Sequence, residues 1–114
     1  MRLFISREEH LRRIGRARDE ARRRELDALV LFSPAQIFYL TGFAFIATER
    51  PIALVVAGDA TVLFVPRLEE EHATGHAVVD RVVVYPEYPT DKHPMVRFVE
   101  LLSCLLYTSP SPRD

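Results

Sequence analysis

The sequence predicts an α/β fold, a mixed β-sheet with helices packed on both faces. Three observations carry this reading. Segments of helical periodicity alternate with short β-prone runs, two of those runs are spaced as a tight antiparallel hairpin, and strands interleaved with helices call for a sheet covered by helices. The chain has 114 residues, 48% hydrophobic and 27% charged, the balance of one globular domain. At that length folding buries somewhat more than ~60% of the unfolded surface, enough for a single core with little stability in reserve.

Ser6 followed three residues later by Glu9 is a capping-box pattern, so a helix is expected from there to about Arg24. Leu11, Ile14, Ala17 and Ala21 fall along one face of it. Leu29 to Phe32 is a continuous apolar run, as in a strand covered on both faces. Ser33 is placed to cap a short helix over Ala35 to Leu40, with Pro34 in its first turn and Gly42 at its end. Ile52 to Ala57 and Thr61 to Val65 flank Gly58, Asp59 and Ala60, the spacing of a hairpin that Pro66 closes. Leu68 to about His76 has helical character, with glutamates near its start where they suit the helix dipole. Arg81 to Tyr85 reads as a fourth strand and Pro86 to Pro94 as a loop. Met95, Phe98, Val99 and Leu102 then repeat at helical spacing. No internal repeat is present.

The formal net charge of -1 exerts no overall pull toward nucleic acid or anionic lipid. Met1 to His10 lacks the pattern of a secretory signal, and the longest central apolar stretch, Ile52 to Ala57, is far below the ~20 residues that cross a bilayer. The expectation is a cytoplasmic protein with no membrane partner. Cys104 is the sole cysteine, which excludes an internal disulfide. The first helix carries seven arginines from Arg12 to Arg24, a conceivable nucleic-acid stripe. Its acids stand four residues ahead of them, Glu8 with Arg12, Glu9 with Arg13, Asp19 with Arg23 and Glu20 with Arg24, so the face reads as paired and solvated, with no nucleic-acid partner. His72 and His76 have a spacing that can chelate a metal. Ala73 stands where a zinc peptidase needs glutamate and Gly75 weakens the helix, so they read as an exposed pair without metal. Four glycines in all, none in a phosphate-loop pattern, exclude a nucleotide cradle, and Ser33 lacks a nucleophile elbow.

The segments ELDALVLFSPAQIFYLTGF, ERPIALVV, FVPRLEEEHA and DRVVVYPEYP, behind an arginine-rich helix, resemble in order and spacing the amino-terminal domain of the creatinase, prolidase and aminopeptidase P family, over Leu11 to Leu102. The resemblance implies an incomplete ribonuclease-H-like domain, which in the family precedes a pita-bread catalytic domain. There, two aspartates, a histidine and two glutamates hold two divalent metal ions that activate water against the bond before a proline. Those ligands are expected beyond Ser103, so this chain by itself is expected to hold no catalytic residue, metal ligand or cofactor. The parent is implied to be a homodimeric Xaa-Pro peptidase acting on proline-containing peptides, although some relatives act on creatine or are not enzymes. The family's amino-terminal domain mediates dimer contacts and partly covers the partner's cleft. Tyr39, Phe43, Phe45, Arg50 and His93 are the candidates for lid or interface; for the stretch from Tyr39 to Arg50 core packing is the equal alternative, and Phe38 is expected in the core. Arg50 can grip a carboxylate bidentately or pair with a nearby acid, and His93 either approaches a partner's cleft or caps the last helix. The alternative is a stand-alone α/β binding or oligomerisation module with a natural Pro/Ser tail.

The last residues, Cys104 to Asp114, read CLLYTSPSPRD, which resembles the in-frame translation of a sequencing-library adapter. The expectation is therefore a domain over residues 1–103, with the last helix interrupted there and 104–114 disordered and without function.

Overall fold

A computed structural model describes residues 5–47, 50–86 and 93–107. Helix α1 spans Arg7–Arg23, strand β1 Ala28–Leu31, α2 Pro34–Thr41, β2 Ala53–Ala57, β3 Thr61–Pro66, α3 Glu70–His76 after a 3-10 turn at Arg67–Glu69, β4 Arg81–Tyr85 and α4 Pro94–Tyr107. The strands form one sheet in the order β1-β2-β3-β4. The first three run antiparallel, with Val30 opposite Val55 and Leu54 opposite Leu63. β4 is parallel to β3, with Val65 beside Val84, so the sheet is mixed. No helix among the described residues is long and apolar enough to cross a membrane.

Alternation along the two central strands divides the core. Leu54, Val56, Leu63 and Val65 face one side and pack with Ile14 of α1, Ile37 and Leu40 of α2 and Ala73 of α3. Ala53, Val55, Val62 and Phe64 face the other, against Phe98 and Leu101 of α4. A sheet with both faces apolar is stable only when both are covered, and helices supply both covers.

The starts and stops follow local chemistry. The Ser6 hydroxyl accepts from the Glu9 amide at 3.1 Å, and the Ser33 hydroxyl accepts from the Gln36 amide at 3.3 Å. Gly42 ends α2 in the left-handed region at φ 80°. The expected capping box is half formed, because the Glu9 carboxylate accepts from Arg12 and Arg13 instead of turning back to the cap. α1 ends without a glycine: Leu26 N–H donates to Ala21 and Glu25 N–H to Arg22 in a Schellman arrangement. Glu25 therefore takes a left-handed φ of 58°.

Four expectations are corrected. β1 lies at an edge of the sheet and is half-buried, with Val30 exposed; a short apolar run does not distinguish an edge strand from a central one. On α1, Leu11 is exposed and His10 is buried, so the inward stripe is His10, Ile14, Ala17 and Ala21. On α4, Phe98, Leu101, Leu102 and Leu105 face the sheet while Met95 and Val99 point out, a rotation fixed by Phe98 meeting Phe64 at 5.2 Å and Phe32 at 5.7 Å. That helix also continues past Ser103 through Cys104 to Tyr107, since Leu105 still finds apolar cover. The remaining expectation of disorder, for 108–114, lies outside the described residues.

Candidate functional site

Antiparallel pairing of β1 with β2 and β2 with β3, and parallel pairing of β3 with β4, bring the ends of β1, β3 and β4 and the start of β2 to one end of the sheet. Ile52 leads into β2 and the turn at Arg67–Glu69 leaves β3 there. Ligand sites of open α/β sheets favour this location, outside the carboxyl ends of parallel strands.

Phe43 and Phe45 follow α2 and pack on the core. Phe43 is 0% exposed and belongs to the core. Phe45 stacks on it at 5.5 Å and the His72 ring meets it at 4.8 Å. Buried Thr41 fixes the backbone, donating its hydroxyl to Ile37 at 2.8 Å and accepting the Phe43 amide at 3.1 Å. On the other side the Tyr85 hydroxyl donates to the Pro51 carbonyl at 2.8 Å. Ile46 stands 87% exposed and Leu68 70% exposed. Arg50, Arg67, Leu68, Glu70 and Glu71 line an open cleft of about 550 Å³. Two arginines and two glutamates are among its lining residues, so both signs of charge stand along it.

The residues singled out in the sequence do not converge on one place. Phe43 and Phe45 turn out to be core and support for the loop, and Arg50 is on the cleft. Tyr39 projects from α2 toward α1, 51% exposed, with the Arg13 guanidinium 4.1 Å from its ring centre. Arg13 also donates to the Tyr39 carbonyl at 2.8 Å, so this arginine clamps the two helices together. His93 caps α4, its Nδ1 accepting from the Met95 amide at 3.1 Å. Phe38, expected in the core, is exposed, because α2 buries Ile37, Leu40 and Thr41 instead. Ile46 lies inside the stretch from Tyr39 to Arg50 that the sequence marked, whereas Arg67 and Leu68 were not singled out. Their signal was weak: a basic-apolar pair just after the proline that ends β3.

The arginines of α1 do more than face solvent. Arg18 donates to the Ala57 carbonyl at 2.9 Å and to the Thr61 hydroxyl at 2.8 Å, and Arg22 reaches the Gly58 carbonyl at 3.1 Å. They tie the helix to the β2–β3 turn. Glu9 pairs with Arg13 and Glu20 with Arg24, as the spacing implies, but Arg12 turns to Glu9, Arg22 to Asp19 and Arg23 to Glu20. The hydrogen bond from Arg13 holds the Glu9 carboxyl below the ordinary glutamate range, and the charges of Arg12, Arg13 and Arg16 add to the effect.

His72 and His76 pack edge to face at 5.0 Å, and His72 Nδ1 lies 3.3 Å from the Glu69 carboxylate. Among the described residues no group of three or more His, Cys, Asp or Glu is placed to hold a metal ion.

Residues 13–108 match the profile of the Creatinase/Prolidase N-terminal domain. The chain belongs to this family. An uncharacterized hydrolase/peptidase of Sinorhizobium fredii is 36% identical over 85 residues, which span 71% of this chain and 22% of that protein. A solved proline dipeptidase of Streptococcus pneumoniae is similar at 31% identity with a TM-score of 0.67, covering 77% of this chain and 63% of its own. The creatinase/prolidase N-terminal domain of an X-Pro dipeptidase from Streptococcus pyogenes aligns at 28% identity and TM-score 0.68, over 78% of this chain and 66% of that one. The chain thus spans about a fifth of the curated relative and under two thirds of the first of these structures. Within this creatinase/prolidase N-terminal domain, Arg50 and Ile46 lie in the segment joining α2 to β2, and Arg67 and Leu68 in the turn joining β3 to α3.

Proposed function

We propose that this domain serves a proline-specific metallopeptidase, where it makes dimer contacts and forms part of the gate over the partner subunit's active site. The observation that carries the reading is the sheet end described above. Ile46 and Leu68 stand exposed, while Phe43 is buried and Pro51 accepts the Tyr85 hydroxyl. Exposed apolar side chains rimmed by charge mark interaction surfaces, and a preorganised surface loses less entropy on docking. Arg50 and Arg67 both line the cleft, and their charge suits the carboxylate of a peptide entering it. The peptidases named in the similar structures support a substrate that contains proline.

In this reading two divalent ions, held by a separate domain, supply the activated water. The residues of this chain bind, orient and exclude solvent, and no bond-breaking step falls to them. A cytoplasmic location goes with the reading.

The test begins with the source locus read past the codon for Ser103. A frame that continues into a domain bearing two aspartates, a histidine and two glutamates supports the reading, and a stop codon after Asp114 favours a self-standing binding module. In the protein that the locus encodes, Ile46→Asp is expected to lower the dimer fraction in sedimentation. Arg50→Ala is expected to raise KM for Xaa-Pro peptides in a length-dependent way, with kcat held within about twofold. Unchanged assembly together with unchanged length preference overturns the proposal.

A further inference from the structure

We draw no further inference here: the strongest candidate, the outer edge of β1 with the apolar cleft of about 400 Å³ between α1, β1 and α2, is an apolar face without a partner among the described residues, and nothing in the structure shows what covers it.

Discussion

Replacing Gly42 by alanine places two costs on one residue. Gly42 closes α2 at φ 80° and ψ 1°, where a side chain meets its own carbonyl and pays about 1–2 kcal/mol. Loss of glycine freedom from the unfolded chain returns about 0.4–1 kcal/mol. The new Cβ would also lie 3.0 Å from His10 Nε2 and 3.5 Å from His10 Cε1. His10 is only 6% exposed, so its ring has little room to swing away, and crowding of this kind costs about 1–3 kcal/mol. The expected net loss is about 2–3 kcal/mol, or a fall in Tm of about 10–20 °C for a domain of this size. Urea unfolding followed by far-ultraviolet circular dichroism measures it. Gly15→Ala is the control: it lies within α1 with nothing within 4 Å of a new Cβ, so alanine there is expected to stabilise by about 0.5–1 kcal/mol. His10→Ala combined with Gly42→Ala isolates the steric part, and a favourable coupling of about 1 kcal/mol is expected. If Gly42→Ala stabilises as Gly15→Ala does, or if the double variant is additive, the contact between α1 and the α2 cap has been misjudged.

Further outcomes follow from burial and backbone. Phe43→Ala is expected to cost about 3–5 kcal/mol in the same unfolding assay, whereas exposed Tyr39→Ala, which removes a cation–π contact with Arg13, should cost about 1 kcal/mol or less. Equal costs would contradict the division into core and surface. Glu25→Gly relieves a left-handed glutamate and is expected to raise stability by about 0.5–1 kcal/mol, read from the urea midpoint. The folded pKa of Glu9 lies below its unfolded one, so its contribution is fully present above the ordinary glutamate range and is lost as pH falls through the lowered value. Glu9→Gln should therefore weaken the domain at neutral pH, with the difference from the native chain closing in acid; a difference that is constant with pH contradicts this.

The parts of the fold that could be read in the sequence are those set by local chemistry. Ser33, Pro34 and Gly42 specify α2 through a hydroxyl, a fixed φ and a left-handed end, all within the stretch Ser33 to Gly42. The hairpin follows in the same way from two β-prone runs and a short turn. Helix rotation was less legible, because periodicity admits neighbouring stripes. Leu11 and His10 both continue the stripe of α1, and His10 packs where the absent side chain of Gly42 leaves room for its ring. On α4 the choice depends on Phe32 and Phe64, distant in sequence. The roles of Arg13, Arg18 and Arg22 were invisible for the same reason: counting acids four residues away cannot find a carbonyl 26 to 39 positions further along the chain.

The candidate site repeats this division on a smaller scale. Aromatic residues around Gly42 suggested a surface that greets a partner, yet the most apolar of them had to be buried before any neighbour could be displayed. Phe43 sits under the loop at 0% exposure, with Phe45 stacked on it and Thr41 holding its amide. Tyr85 grips Pro51 from the other side. Ile46, between these anchors in the chain, is 87% exposed. Burial at Phe43 and exposure at Ile46 separate the two roles, core and interface, that the sequence left open over this stretch. Substitutions at Phe43 should act through stability, and substitutions at exposed Ile46, Arg67 and Leu68 should change stability little.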